Sequence, residues 1–399
     1  MRDSEFFQDV VSSIQSNINV ETLLASLNNT LSSVTSEQKL DFLKMRNEQG
    51  LSLLEISAYQ SPKYLLIILH GKWLQSLEAQ DLNSIFNMKG HGGYTILEQA
   101  AKTSPSHIKA ILNSNAFVNM GPYALESLIA KNKYGISFVE YALKHESSAF
   151  IKAVLSAKAV QNMTTSALSE LFALKDSDNL DLLVSAVGSS VEHLKAVLNK
   201  ELLQKLPAED LRNLLLKEYV DGNNLFAFTA LTQSLMKFNI LLDRYNELSL
   251  SAENILKLFI NQNDDGKTLI EIVVSKGAEY ISAVFNHDII SSRLNPAQKL
   301  EILSVYSEGG EPILISALNK SHNHIEAIIK SDTSVSLSPE EILEVLSIKD
   351  QVGNTFLEVL HAKGSDSDIS LLQDSDIFHS LNYELQSQIL EQIGIHYDD

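Results

Sequence analysis

The 399-residue sequence contains no cysteine. Disulfide bonds, thiolate zinc sites and cysteine nucleophiles are therefore excluded, and a reducing cytosol is mildly favoured as the compartment. The sequence also lacks the HExxH and GxSxG patterns of zinc-dependent proteases and serine hydrolases. We therefore expect a protein that is not an enzyme and that binds no cofactor and no metal ion.

Long apolar runs are missing as well. No run approaches the about 18 residues that a membrane-spanning helix needs. The first residues, MRDSEFFQDVVSSIQSN, lack the basic-then-apolar order of a signal peptide. Apolar residues still make up 44% of the chain, which is enough for a folded core. These features predict a soluble, cytoplasmic protein.

Positive charge is scarce. The chain has 31 Lys and Arg residues against 50 Asp and Glu, which gives a formal net charge of −19. Nucleic acids and anionic membranes are bound mainly through Lys and Arg, so this balance predicts neither kind of partner. A local basic patch remains compatible with the acidic total.

Glycine is sparse, with 16 residues, but seven of the glycines recur at a nearly constant interval. With one asparagine they form a series of register positions, each 42 to 44 residues from the next: Gly50, Gly93, Gly135, Asn179, Gly222, Gly266, Gly310 and Gly353. Chance placement would rarely produce this spacing. It indicates an internal repeat of about 43 residues.

A helix is expected to begin two positions after each register position. The residues there are Ser52, Thr95, Ser137, Asp181, Asn224, Thr268, Pro312 and Thr355. Seven of these eight are favourable N-caps, because their side-chain oxygen accepts from a backbone N–H in the first turn. Five copies have a glutamate three residues later, which predicts a reciprocal capping box: Ser52 with Glu55, Thr95 with Glu98, Ser137 with Glu140, Thr268 with Glu271, and Thr355 with Glu358.

Two further helices are predicted in each copy. The second has a recurring phrase with a central alanine: IKAIL at 108–112, IKAVL at 151–155, LKAVL at 194–198, ISAVF at 281–285 and IEAII at 325–329. The third opens with Ser or Pro followed by acidic or polar residues, at 36–47, 207–218, 251–261, 296–306 and 338–348. None of these short helices could bury its apolar stripe alone, so neighbouring copies are expected to stack.

These patterns predict an all-α fold, a right-handed α-solenoid of about eight three-helix repeats with terminal capping helices. We place N-terminal capping helices at 1–35, the repeat array at 36–375, and a C-terminal capping helix with an acidic tail at 376–399. No linker rich in Pro, Gly and Ser divides the chain. One continuous, monomeric array is therefore expected.

The phrase G-x-T-x-L-E-x-A at 93–100, followed by an I-x-A-I-L helix, resembles the helical hairpin of ankyrin repeats. The similarity covers about 20 residues of each copy. In length and helix count the copy is closer to an armadillo or HEAT repeat. These families are mostly protein-binding scaffolds, and the resemblance implies a protein partner here.

The composition carries a second resemblance. A cysteine-free chain rich in Asn, Ser, Lys and Ile, with divergent eukaryote-like repeats, is similar to the effectors that intracellular bacterial pathogens secrete into host cells. This resemblance implies a host protein as the partner and the host cytosol as the location.

The residue after each register position is expected to contact the partner, because it varies while the scaffold positions do not. It is apolar in the first four copies, where it is Leu51, Tyr94, Ile136 and Leu180. With Tyr134 these residues form our predicted partner-binding edge. The alternative is a local staple onto the first helix, with Leu51 packed on Ile56 and Ile136 on Tyr141. Tyr94 has Gln99 at its staple position, so it is expected to be exposed.

Carboxylate pairs give an alternative from another class, a metal-dependent transferase. Two neighbouring carboxylates can hold a hard cation, and Asp-x-Asp occurs at Asp176/Asp178, Asp366/Asp368 and Asp374/Asp376, all predicted to lie in inter-helix loops. Two further motifs are interpreted as scaffold. Gly266-Lys267-Thr268 imitates a phosphate-binding loop but is expected to be a repeat turn. The histidines that share one repeat position just before the second helix are expected to be turn residues: His107, His193 and His324.

Overall fold

A computed structural model describes residues 2–132, 134–232, 234–248 and 250–395. The last part of the predicted acidic tail, residues 396–399, lies outside the described residues. All regular structure within the described ranges is helical, which confirms the all-α prediction. The chain forms two compact units, unit 1 from Met1 to Asp210 and unit 2 from Leu211 to Asp399. Each unit contains four of the register positions.

Unit 1 contains the first seventeen α-helices and two short 3₁₀ helices, Lys72–Ser76 and His91–Gly93. The α-helices are α1 (Arg2–Gln15), α2 (Val20–Leu31), α3 (Ser36–Lys44), α4 (Leu53–Gln60), α5 (Pro62–His70), α6 (Ala79–Phe86), α7 (Ile96–Thr103), α8 (Pro105–Leu112), α9 (Asn115–Val118), α10 (Tyr123–Ile129), α11 (Phe138–Lys144), α12 (Ala149–Leu155), α13 (Lys158–Gln161), α14 (Thr165–Ala173), α15 (Leu182–Gly188), α16 (Val191–Val197) and α17 (Lys200–Leu203).

The boundary between the units lies within the next helix, and unit 2 continues to the end of the described chain with one 3₁₀ helix at Val220–Gly222. The α-helices are α18 (Ala208–Leu216), α19 (Leu225–Leu231), α20 (Leu235–Glu247), α21 (Ala252–Ile260), α22 (Leu269–Lys276), α23 (Ala278–Phe285), α24 (Asp288–Ser291), α25 (Pro296–Leu303), α26 (Ile313–Lys320), α27 (His322–Ile329), α28 (Asp332–Val335), α29 (Pro339–Leu346), α30 (Phe356–Lys363), α31 (Asp366–Gln373), α32 (Asp376–His379) and α33 (Tyr383–Gln392).

Every register position has a left-handed backbone, with φ between 61° at Asn179 and 95° at Gly353. A side chain at such a φ crowds the following carbonyl, and only glycine, or less often asparagine, tolerates this at low cost. The conformation therefore explains both the recurrence of glycine and its single replacement by asparagine.

The predicted N-caps are confirmed at all seven favourable positions. Each side chain accepts a hydrogen bond from the backbone N–H three residues later, at Ser52, Thr95, Ser137, Asp181, Asn224, Thr268 and Thr355. Pro312, the exception in the sequence, makes no side-chain cap bond. The helix starts are therefore encoded locally.

The capping boxes are confirmed for Glu55, Glu98 and Glu358. At Ser137 and Thr268 the predicted box is wrong. Glu140 accepts instead from the backbone N–H of Ser177, and Glu271 from that of Glu308, both at 2.9 Å. Both donors, Ser177 and Glu308, lie two residues before the following register position. Each glutamate therefore links its own helix to the next turn.

Helices that begin after the register positions pack side by side in chain order. In unit 1 these are α4, α7, α11 and α15, and in unit 2 they are α19, α22, α26 and α30. The second helices do the same, as α5, α8, α12 and α16, and as α20, α23, α27 and α31. Their apolar stripes form the core, and burial of each large aliphatic or aromatic side chain contributes about 1.5–3 kcal/mol.

The leading helices α1 and α2, predicted in the N-terminal segment, are present and pack on α4 and α5. Three parts of the helix prediction need correction. A four-residue helix precedes the third helix at α9, α13, α17, α24, α28 and α32. After Gly222 the described chain lacks it, and α20 extends to 13 residues. The trailing segment 376–394 contains two helices, α32 and α33, instead of one.

None of the helices in the described ranges has the length and apolar character that crossing a lipid bilayer requires.

Candidate partner-binding edge

Five of the eight turns are shaped by an Asn or Asp three residues before the register position, whereas the turns of Gly93, Gly222 and Gly310 have Gly90, Tyr219 and Ser307 there. In the third turn, Asn132 Oδ1 accepts from the backbone N–H groups of Tyr134 at 2.8 Å and Ile136 at 3.2 Å. Such a side chain stands in for a backbone partner and fixes a tight turn. The same pair of bonds occurs at Asn47, Asp176, Asn263 and Asp350. This recurring Asn or Asp is a turn signal in the sequence that the glycine spacing alone does not reveal.

Two of the predicted edge residues meet in the structure. The Tyr94 and Tyr134 rings come from consecutive turns, with centroids 6.5 Å apart and planes inclined by 40°. Tyr134 is 62% exposed, as expected for the tip of a turn. Tyr94, predicted to be exposed, is half-buried instead. The ammonium group of Lys102 covers its ring, 3.0 Å from the centroid, which is a cation–π contact.

A third tyrosine extends this surface and was missed in the sequence. Tyr59, in α4, is 53% exposed, and its hydroxyl donates to Gln99 Oε1 at 3.2 Å. Gln99 lies in α7, the helix that also carries Lys102. Tyr59, in the first helix of its copy, and Tyr94 and Tyr134, in the next two turns, therefore come from three consecutive copies, and we call these three residues the tyrosine strip. Spacing alone could not identify Tyr59, because the corresponding positions after Gly93 and Gly135 hold lysines.

The three aliphatic residues of the predicted edge are half-buried. They are therefore neither fully exposed to a partner nor fully packed onto the first helix as staples. Leu51, Ile136 and Leu180 each donate their backbone N–H to the Asn or Asp four residues before them. Ile136 follows Tyr134 in the same turn and belongs with the tyrosine strip. Leu51 and Leu180 lie in the flanking turns, at the ends of the edge.

Lys144, at the position that Tyr59 and Lys102 occupy in the two preceding copies, is held by three carboxylates. Lys144 Nζ lies 2.9 Å from Asp178 Oδ2, 3.2 Å from Glu140 Oε1 and 3.5 Å from Asp176 Oδ2. Partial burial lowers the pKa of this ammonium group, but hydrogen bonds to Asp178 and Glu140 outweigh it and raise the pKa above its ordinary value. For Asp176 the effect of burial has the opposite sign, and it raises the pKa of the carboxyl group. Hydrogen bonds from Ser185 and from backbone N–H groups, with the charge of Lys144, lower it on balance.

The first Asp-x-Asp pair is thus engaged by protein groups. Asp176 Oδ1 accepts two backbone N–H bonds, and its Oδ2 accepts from Ser185 Oγ at 2.6 Å. A cation at this site would have to displace Lys144 and these donors.

The second pair does not lie in a loop as predicted, and only the first member of the third pair does. Asp366 and Asp368 are in the first turn of α31, because Ser365 is its N-cap. Asp368 Oδ1 lies 2.8 Å from His322 Nδ1, and its Oδ2 accepts the Ser365 N–H. Asp374 caps the end of α31, and Asp376 begins α32. Across the described ranges, no three His, Asp or Glu side chains gather in a way that could hold a metal ion.

The remaining motifs belong to the scaffold. Gly266 has φ 76° and Thr268 is an N-cap, which confirms that Gly-Lys-Thr is a repeat turn. The shared histidines lie inside the first turn of the second helix and not before it, with Nδ1 bonded to the Oγ of the preceding N-cap serine at 2.7–2.8 Å: His107, His193 and His324.

No protein-family model matches the chain, and no curated protein sequence matches it either.

Proposed function

We propose that the chain is a protein-interaction scaffold, an α-solenoid of eight repeats whose turns form an edge that binds a partner protein. The recurrence of a left-handed residue at all eight register positions, and of a side-chain cap bond two residues later in seven of them, supports the repeat architecture. So does the packing of like helices in chain order within each unit. In repeat proteins, contacts to nearest neighbours build the scaffold, which leaves the variable turn residues available for recognition.

The tyrosine strip is the observation that carries this proposal. Tyr59 and Tyr134 expose more than half of their surface, and Tyr94 joins Tyr134 to α7. Tyrosine offers a large apolar ring together with a hydroxyl, and it is enriched at protein interfaces. Loss of one well-buried aromatic anchor costs about 2 kcal/mol or more of binding free energy, which corresponds to about 30-fold in Kd.

The test compares two triple variants of the full chain in capture from cell lysate, with each captured protein quantified by mass spectrometry. The strip variant combines Tyr94→Ser, Tyr134→Ser and Ile136→Ser. The control variant combines Met236→Ser, Val352→Ser and Tyr383→Ser, three residues of unit 2 that are 66%, 84% and 71% exposed.

The proposal predicts that the strip variant loses a partner that the control variant retains. The partner is then purified and titrated against both variants to give the change in Kd. Circular dichroism and thermal unfolding must show that the strip variant keeps its helices, because Tyr94 is half-buried. Equal capture by the two folded variants would contradict the proposal.

A further inference from the structure

The turns of unit 1 carry a column of positively charged residues that has no role yet in the proposed function. Four residues before each register position lies one positive charge, at Arg46, Lys89, Lys131 and Lys175. We call this column the cation ladder. In unit 2 the same position holds Glu218, Gln262, Tyr306 and Lys349. The ladder therefore distinguishes the two units.

The backbone places these cations at the same point of each turn. Arg46, Lys131 and Lys175 each pair across the turn with the N-cap residue that starts the first helix. Arg46 Nη2 donates to the backbone carbonyl of Lys89 at 3.1 Å, so consecutive members of the ladder are neighbours. Since the first helices of these turns pack side by side, the members recur at the helix-packing distance of about 8–10 Å.

The first three members of the ladder lie in a locally basic part of an acidic chain, whereas Lys175 has Asp176 and Asp178 beside it in the sequence. From residue 44 to residue 158 there are 12 Lys and Arg against 8 Asp and Glu. Three of those acids, Glu55, Glu98 and Glu140, are buried at the bases of the turns. Lys89 and Lys131 are exposed, and within the described part of the chain neither forms an ion pair. The exposed surface of this stretch is therefore positive.

The spacing of the ladder selects a kind of ligand. A polyproline II helix has three residues per turn and rises about 3.1 Å per residue, so every third side chain lies on one face about 9 Å from the last. This repeat matches the packing distance of the turns. In a β-strand, side chains three residues apart point to opposite faces. Only every second one of these carboxylates would then face the ladder.

We propose that the cation ladder binds an extended acidic segment of a protein partner, in polyproline II conformation, with a carboxylate at every third residue. This inference rests on the proposed function, since it names the partner chemistry of the same edge. Tyr94 and Tyr134 belong to the same two turns as Lys89 and Lys131 and pack against the intervening residues of the segment, as aromatic grooves do with proline-rich peptides.

A single-stranded nucleic acid is the competing anion. It brings a phosphate with every nucleotide, and the chain as a whole carries −19. Long-range repulsion therefore opposes a polyanion more than a peptide that carries only a few spaced carboxylates. The peptide is the better match for a short row of cations in which Lys89 and Lys131 are exposed, Lys175 is half-buried and Arg46 lies 3.3 Å from Glu55 Oε2.

The experiment measures binding of fluorescent peptides to the full chain by anisotropy at low salt. The probe contains four Glu-Pro-Pro triplets, and a probe of the same composition has its four glutamates in one block. The ladder variant combines Lys89→Gln, Lys131→Gln and Lys175→Gln. Its matched control combines Lys109→Gln, Lys152→Gln and Lys195→Gln, three exposed lysines of the second helices in the same unit.

We expect the ladder variant to bind the spaced probe about tenfold more weakly, the control variant to change less than about twofold, and added salt to weaken binding. We also expect the block probe to bind more weakly than the spaced one. No binding of the spaced probe, equal loss in both variants or equal binding of both probes would overturn the inference. Tighter, ladder-dependent binding of a thymidine oligonucleotide would show that the partner class is wrong.

The two proposals fail in different ways. If the strip variant loses its captured partner while the ladder variant keeps it, the proposed function stands and this inference falls. If the ladder variant loses the acidic probe while the strip variant still captures every partner, the proposed function falls, and what remains is binding of acidic peptides by the ladder without the tyrosines.

Discussion

The turn edges of unit 1 and unit 2 share a left-handed residue at every register position but present different chemistry. Each unit has four turns with a left-handed register position. Unit 1 has 18 Lys and Arg against 22 Asp and Glu, a net charge of −4, whereas unit 2 has 13 against 28, a net charge of −15. The residues before the register positions are Gln49, Gly92, Tyr134 and Asp178 in unit 1, and Asp221, Asp265, Gly309 and Val352 in unit 2. The common backbone makes the turns stable, and the variable side chains can make them specific.

The largest expected effect comes from blocking a turn at its backbone. Gly222 has φ 67°, and a Cβ there would lie 2.7 Å from the backbone nitrogen of Asp264 in the following turn. That nitrogen donates to Asp221 O at 3.1 Å, so Gly222→Ala breaks a turn-to-turn hydrogen bond and adds left-handed strain. We expect a loss of about 3 kcal/mol in the free energy of unfolding, measured with urea.

A pair of variants serves as the control for this prediction. Gly135 in unit 1 and Gly266 in unit 2 have φ 77° and 76°, and a Cβ at either would meet no atom within 4 Å. Gly135→Ala and Gly266→Ala should therefore each cost only the strain of about 1–2 kcal/mol. A large difference between their losses in the free energy of unfolding would mean that the same left-handed conformation costs a different strain energy in the two units. A loss at Gly222 no greater than theirs would show that the Asp264 contact is relieved at little cost.

A smaller effect is expected from the glutamates that tie one turn to the next. Glu140 in unit 1 accepts from the Ser177 N–H and also pairs with Lys144, whereas Glu271 in unit 2 accepts from the Glu308 N–H. Removal of a buried charged acceptor costs about 1.5–3 kcal/mol. We expect Glu140→Ala to cost more than Glu271→Ala in urea unfolding, and both to cost less than Gly222→Ala. Equal losses would indicate that Lys144 adds nothing to the tie.

The features that could be predicted from the sequence are those encoded within four residues. A positive φ requires glycine or asparagine at the register position, and an N-cap requires a short polar side chain two residues later, so both were identified correctly. The bond from Glu140 to Ser177 and the approach of Tyr59 to Gln99 join residues 37 and 40 positions apart. Only the packing of neighbouring helices brings these groups together, so local patterns could not reveal them.

The location and exposure of the candidate site residues could be predicted from the sequence only in part, for a similar reason. The spacing of Tyr94 and Tyr134 put them in consecutive turns, but whether Tyr94 is exposed depends on Lys102, eight residues away in α7. Asp366 and Asp368 lie in a helix and not in a loop, because Ser365 caps α31 directly before Asp366. Errors of this kind arise where a local signal competes with another signal nearby.

The smallest expected effect compares two histidines that occupy the same position in the two units. Burial lowers the pKa of His107 in unit 1. In unit 2, burial and then the charge of Lys320 lower the pKa of His324, while Glu279 raises it. A depressed pKa means that the unfolded chain takes up the proton more readily. Each histidine therefore contributes stability that is present above its unfolded pKa of about 6.5 and is lost as the pH falls through the folded value.

Melting temperatures between neutral and mildly acidic pH measure this loss in the wild-type chain and in His107→Gln and His324→Gln. Each substitution should flatten the acid-side decline. His107→Gln should have the larger effect, because His107 Nε2 is buried without a hydrogen-bond partner among the described residues and no carboxylate opposes its shift. A steeper decline in either variant would contradict the assigned sign. A larger effect from His324→Gln would show that the charge of Lys320 matters more than burial.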